Sequence, residues 1–349
     1  MVTERKNQDI VVIGASFGGV AALKQMVSHL PGDLTASIFI VIHQSPTGKT
    51  ALHEILAKNG KLPAVLPENA AKFEPGTIYV AKPNHHLLVK EDHVAITFGP
   101  RINRVRPSID VLFNSAAAFH TTRVVGIIMS GYLNDGVIGL SGIKRCGGIA
   151  IAQDPGEAEA AEMSISAIRR VGVDHVLNLE QIAIKITELA RRPSGRPVEV
   201  PEDIMEEVRV SEHKVPNLEH MRNRGDLTPY TCPECGGVLW KTKNEPLARY
   251  VCHTGHSFSQ NAFLECQAEV IENSLWSAIR FIQERINILF NLAENKRETG
   301  KSTRADEYEK KAMEMKEHLL NIRRFIISGA LNSALYHKEV PQKQTEPAE

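Results

Sequence analysis

Residues 9–19 read DIVVIGASFGG. The run 9–14 is apolar on both faces and stops at Gly14, which predicts a strand covered on both sides. From 18 to 30 the spacing turns helical, with Val20, Leu23, Val27 and Leu30 on one stripe. Ser16 therefore sits in a glycine-flanked turn between a buried strand and a helix. Three readings fit such a turn: a phosphate loop, a nucleophile turn, or a structural bend. The first is disfavoured because Gly14, Gly18 and Gly19 do not make G-x-G-x-x-G, Ser16 taking the middle glycine position. The second matches G-x-S-x-G in the strand-turn-helix context that the pattern requires.

On the C-terminal side of this turn the alternation continues. Residues 37–42 (SIFIVI) and 123–129 (RVVGIIM) are further buried strands, and 77–80, 86–90 and 93–97 are shorter ones, with Glu91-Asp92 as a hairpin turn. Residues 47–58, 108–119 and 134–145 read as helices, the second with Ser108 as its N-cap. The segments 148–152, 163–170, 174–178 and 180–190 extend the series. Doubly apolar strands separated by helices predict an α/β fold, a doubly wound and mostly parallel sheet, over 1–192.

A serine nucleophile needs a base, and the base needs an orienting carboxylate. His43 ends the second buried strand and Asp135 follows the third, so Ser16, His43 and Asp135 all lie where strands run out. That edge is the ligand crevice of an open α/β sheet. The plainer readings are that His43 caps a strand and Asp135 caps the next helix. His85 and His86 are candidates for the edge of the site; His93 and His120 read as surface or packing residues. The order Ser…His…Asp differs from that of the α/β-hydrolases.

The chain has 349 residues, 41 basic and 41 acidic side chains, and zero formal net charge. It offers no overall field for nucleic acid, so none is expected as a partner. No apolar run approaches the ~20 residues of a membrane span, and the polar start is not a signal peptide, so a cytoplasmic protein that is not membrane-inserted is expected. The five cysteines then suggest metal or redox chemistry rather than disulfides.

The N-terminal part resembles the catalytic domain of the CheB-type chemotaxis protein-glutamate methylesterases. The resemblance rests on VVIGASFGG at 11–19, VIHQS at 41–45, RPSIDVLFNSAA at 106–117, SGYLNDG at 130–136 and IAQDPGEAEAAEM at 151–163. It implies Ser16 as nucleophile, His43 as base and Asp135 as the residue that orients it. The implied reaction is hydrolysis of glutamate γ-methyl esters on methyl-accepting chemotaxis receptors, with deamidation of receptor glutamines. Backbone N–H groups near Phe17 and Tyr132 would form the oxyanion hole, and Arg101, Asn103 and Arg106 would contact substrate, solvated surface charge being the plainer reading of those three. The chain departs from the family pattern at Phe17, where Thr is usual, and at Tyr132-Leu133, where Met-Gly is usual. Members typically carry an N-terminal receiver domain. This chain begins at the esterase, so control by a fused receiver is not expected.

After Arg191-Arg192 prolines recur at 193, 197, 201 and 216. Residues 193–228 read as a linker with one short helix around 202–208. Residues 229–261 hold Cys232-Pro-Glu-Cys235 and, after 16 intervening residues, Cys252-His253-Thr-Gly-His256. Three thiols and an imidazole predict a closed, structural Zn²⁺ site in a zinc-ribbon-like module, with Cys232, Cys235, Cys252 and His256 as ligands and His253 as the alternative to His256. A redox Cys-x-x-Cys is the rival reading. No organic cofactor is expected. Cys146 and Cys266 read as packing residues.

Residues 262–336 form a helical hairpin. One stripe runs through Phe263, Leu275, Ile279, Ile286 and Ala293, and a heptad seam through Ala305, Ala312, Leu319 and Ile326. The stripes either pack on each other or supply a surface for self-association or a signalling partner. Residues 337–349 are a polar tail. Two other functions compete with the esterase: a catalytically weak scaffold using the same fold to dock receptors, favoured by Phe17, Tyr132 and Leu133, and a nucleotide binder using the glycine turn.

Overall fold

The computed structural model describes residues 7–48, 50–212, 225–243 and 246–329. The polar tail, the end of the hairpin and the 213–224 part of the expected linker lie outside the described residues.

β1 (Ile10–Ala15) is the centre of a seven-stranded sheet. β2 (Ser37–Ile42), β4 (Ile78–Val80) and β3 (Ala64–Val65) lie on one side of it. β7 (Val124–Ile128), β8 (Ile149–Gln153) and β9 (His175–Leu177) lie on the other. Every pairing is parallel. The strand order reverses between β1 and β7, so the carboxyl ends of β1, β2 and β7 surround the switch point.

Alternation along each strand explains why both faces are covered. Ile10, Val12, Phe39 and Val41 enter one core with α3 (Ile109–His120) and α4 (Val137–Arg145). Val11, Ile13, Ile38 and Ile40 enter the other with α1 (Gly19–Ser28), α2 (Leu52–Asn59) and α6 (Leu179–Ala190). α5 (Glu162–Val171) covers the β8 end, and Met163 and Ala167 join the first core. β5 (His86–Val89) and β6 (Val94–Thr97) form an antiparallel hairpin whose turn spans Glu91-Asp92, as the sequence predicts.

Gly14 has a specific packing role. A Cβ there would lie 2.3 Å from Ile109 Cγ2, so the glycine lets the first turn of α3 rest on β1. This close approach brings the Ile109 amide to the carboxyl edge of the sheet.

The 193–228 stretch is not a plain linker. α7 (Glu202–Ser211) packs on α3, and Ile204 and Val208 are buried in the first core. Ile204 and Val208, one turn apart, seat it together with the partly buried Met205 and the Arg145–Asp203 ion pair. β10 (Gly225–Thr231) also starts inside this stretch and opens a four-stranded antiparallel sheet. Its order continues through β11 (Val238–Thr242), β12 (Arg249–Cys252) and β13 (Ser257–Ser259). By contacts, residues 1–262 form one compact unit, so this small sheet is part of the same body as the large one. Leu247 packs against the first core, and the buried Arg249 pairs with Glu207 of α7.

The second unit is residues 263–349. α8 (Gln260–Glu298), which begins at the end of the first unit, and α9 (Ser302–Ile327) bring Ile279, Ile286, Ala312 and Leu319 into one small core. The two apolar stripes thus face each other.

Candidate active site and metal centre

The three edge residues come together. His43 Nδ1 lies 3.2 Å from Ser16 Oγ, and His43 Nε2 lies 2.9 Å from Asp135 Oδ2. With the proton on Nε2, that nitrogen donates to Asp135 and Nδ1 is left to accept from the Ser16 hydroxyl. Ser16 is half-buried at an open depression of about 610 Å³, lined by Gly18, Val20, Ala21, Lys24 and Glu159.

Asp135 is held on every side. Besides His43, Oδ2 accepts the Ile109 amide at 2.7 Å, while Oδ1 accepts Ser108 Oγ at 2.9 Å and Asn103 Nδ2 at 3.3 Å. Ser108 was expected as an N-cap, but its hydroxyl turns to Asp135 rather than to the helix. Asp135 in turn takes the Ile109 amide, so it caps α3 rather than the helix that follows it. Burial pushes the Asp135 carboxyl up. The His43 hydrogen bond and charge and the Ile109 and Asn103 donors outweigh that, and it ends below its ordinary value.

A second buried carboxyl, Asp110, lies beside it and was missed in the sequence, hidden inside an apolar helix pattern. Burial first, and the Asp135 charge second, hold Asp110 well above the ordinary carboxylate range. Of the two adjacent buried carboxyls, Asp110 thus holds its proton the more firmly and Asp135 the less. A raised folded value means that the stability Asp110 contributes is complete below about pH 4 and is lost as pH rises through that value. Asp110→Asn is expected to gain thermal stability over the wild type progressively from pH 5 to 8, with little difference near pH 4. A wild type that stays ahead across that range in calorimetry contradicts this.

Around the turn, the Gly131 amide goes to Ala160 O and the Leu133 amide to Glu162 Oε2. Among the described residues, the Phe17 and Tyr132 amides meet no protein acceptor. Their rings are half-exposed and pack at 5.2 Å between centroids beside Ser16. Leu133 has φ +63°, in the left-handed region that favours glycine, and a side chain there costs about 1–2 kcal/mol.

The three residues expected to contact substrate each have protein partners. Arg106 donates to Asn84 O and Oδ1 and to Gly99 O, and it stacks on Phe98, so its guanidinium braces its own loop. Arg101 lies 3.7 Å from Glu234 of the small sheet. Asn103 is buried and points at Asp135. His86 is buried behind the site, where Nδ1 accepts the Ser108 amide and Nε2 donates to Pro100 O. His85 packs against Phe98.

In the small sheet, the ligand atoms of Cys232, Cys235, Cys252 and His256 all lie within 4.8 Å of one another. A tetrahedral site with ~2.3 Å metal–sulfur and ~2.0 Å metal–nitrogen bonds has S···S edges of about 3.8 Å and S···N edges of about 3.5 Å. The observed Cys235–Cys252 edge is 3.8 Å, and His256 Nδ1 lies 3.6 Å from Cys252 Sγ and 3.8 Å from Cys232 Sγ. The cluster can hold a metal. His256 joins it, whereas His253 is exposed and stands over Gly237. Two tight turns bind it together: Gly236 N–H to Cys232 O and Gly255 N–H to Cys252 O.

Serine, imidazole and carboxylate in hydrogen-bonded sequence, at the carboxyl edge of a doubly wound sheet, place the molecule among α/β proteins built like serine hydrolases. The family model for CheB methylesterase matches residues 11–186. A Leptospira interrogans protein, provisionally named protein-glutamate methylesterase/protein-glutamine glutaminase, is 40% identical over 178 residues, 51% of this chain and 92% of the relative. An Anaeromyxobacter dehalogenans protein-glutamate methylesterase/protein-glutamine glutaminase is 37% identical over 189 residues, 52% of this chain and 51% of the relative, about half its length. The crystal structure of the Thermotoga maritima CheB methylesterase catalytic domain matches with a TM-score of 0.51 and 30% identity, over 52% of this chain and 98% of that one. The chain belongs to the CheB methylesterase family, a family of ester hydrolases. Among the described residues, no helix is long and apolar enough to cross a membrane.

Proposed function

We propose that this chain is a protein-glutamate methylesterase that hydrolyses glutamate γ-methyl esters, and deamidates glutamines, on methyl-accepting chemotaxis receptors in the cytoplasm. The observation that carries the reading is the Ser16–His43–Asp135 line at the switch point of the sheet. In this reading Ser16 Oγ attacks the ester carbonyl carbon while its proton passes to His43 Nδ1. The carbonyl electron pair moves to oxygen, where the Phe17 and Tyr132 amides receive it; each such donor lowers the barrier by about 3–4 kcal/mol. The pair returns, methoxide leaves with the proton from His43, and a glutamyl ester of Ser16 remains. Water then attacks, His43 again carrying the proton, and releases the glutamate and Ser16. Asp135 keeps the tautomer and offsets the charge on the imidazolium.

The small sheet would carry one structural Zn²⁺ on Cys232, Cys235, Cys252 and His256. Four protein ligands leave no open position, so the metal contributes no atom to the reaction. Residues 1–192 would be the catalytic domain, and the helices of 262–336 a surface for self-association, checked by sizing the chain with and without them.

The scaffold reading is favoured by the Phe17–Tyr132 pair beside Ser16. Methanol release from methylated receptor membranes separates the two. No release, or equal release by Ser16→Ala, overturns the esterase reading.

A further inference from the structure

The loop between β6 and α3 joins the reaction centre to the metal centre. At its middle, Asn103 is 7% exposed and bonded on two sides. Its N–H donates to Ser257 O at 2.7 Å, and its Oδ1 accepts the Ser259 amide at 2.7 Å. Its Nδ2 lies 3.3 Å from Asp135 Oδ1 and 3.4 Å from Asp110 Oδ2. One amide side chain therefore spans β13 and the carboxyl pair behind His43.

The loop does not hold this shape by itself. Asn103 and Arg104 have φ +50° and +70°, sparsely populated values that surrounding contacts must maintain. Those contacts come from the small sheet. Ser257 directly follows His256, Ile102 bridges to Ser257, and Gly255 is so close to Pro100 that a Cβ would lie 2.9 Å from its ring. The path from cluster to catalytic carboxylate is thus one covalent neighbour, His256 to Ser257, and two hydrogen-bonded steps.

We propose that Asn103 is a positioning residue for Asp135, and that metal held by Cys232, Cys235, Cys252 and His256 fixes β13 and so keeps Asn103 in place. Ester hydrolysis at Ser16 then depends on occupancy of a site that touches neither substrate nor nucleophile. The inference rests on the zinc reading throughout, and on the esterase reading for its kinetic arm.

The test uses the full chain, zinc-loaded and chelator-stripped, as wild type and as Asn103→Gly. Glycine removes Oδ1 and Nδ2 while accepting the positive φ. Hydrogen exchange of the Asn103 and Ser259 amides, zinc content and steady-state methanol release are measured on each. For loaded Asn103→Gly, kcat is expected to fall about 10–100-fold with KM within about twofold, as for a displaced catalytic group, and zinc to stay at one per chain. Stripping the wild type is expected to lower kcat by a similar factor and deprotect both amides, and zinc to restore both. Stripping Asn103→Gly is expected to cost no further kcat, since two changes along one path do not add. Multiplying effects, or a stripped wild type that keeps its kcat and amide protection, overturn the proposal. If no form releases methanol, the esterase reading fails and exchange alone decides the clamp: metal-dependent protection of Asn103 supports it, and metal-independent protection overturns it.

Discussion

Ser16→Ala is expected to release methanol about 10⁴–10⁶-fold more slowly than the wild type, with almost no change in stability. The rate effect is large because the line of proton transfer begins at Oγ. Without it His43 has nothing to deprotonate, although the His43–Asp135 bond remains. On the esterase reading, what would survive is the contribution of the Phe17 and Tyr132 amides and of binding, about 10³-fold over water. Stability is spared because the turn is held by backbone. The Ser16 amide bonds Ser130 O at 2.8 Å, and Ser16 O accepts the Gly19 amide at 2.9 Å; alanine keeps both. Headspace methanol and a melting curve on the same samples check the two halves. A slow variant with an unchanged melting curve supports the nucleophile, and an equal rate leaves the scaffold reading.

Cys252→Ser is expected to take the chain from one zinc to none and to unfold the small sheet while the large one stays folded. Cys252 is central: its amide bonds His256 O at 2.9 Å, and its sulfur edges both Cys235 and His256. The sheet has few large buried apolar side chains of its own, Leu239, Tyr250 and Phe258 among them. A core that small does not offset the entropy of ordering its residues. Structural zinc, worth an apparent ~10–16 kcal/mol at neutral pH, does. The seven-stranded sheet has two extensive cores independent of the cluster. Limited proteolysis should therefore cut Cys252→Ser within 225–259 and spare 7–190. Wild type purified free of metal with no zinc and an intact small sheet would remove the metal claim.

The large sheet was legible because strands covered on both faces leave a continuous apolar run, as at 9–14 and 37–42. Ser16, His43 and Asp135 were legible because strand ends converge in this topology. The direction of side chains in the 98–108 loop was not. Arg106 reads as an exposed cation until Asn84, 22 residues away, and the ring of Phe98 in its own loop engage it. Asn103 reads as a substrate contact until the Ser259 amide, 156 residues away, meets it. α7 escaped full notice because, of its four buried residues, only Ile204 and Val208 are apolar. Asp110 escaped because a single buried carboxyl leaves no mark in an apolar helix pattern.

The position of β1 bears on how the chain is made. Its partner on one flank, β2, begins at residue 37, but its partner on the other, β7, begins only at 124. During synthesis the central strand has an unpaired flank until β7 leaves the ribosome, and an open apolar edge invites pairing with another chain. Stalled chains from which β7 has not yet emerged should aggregate more than stalled chains from which it has.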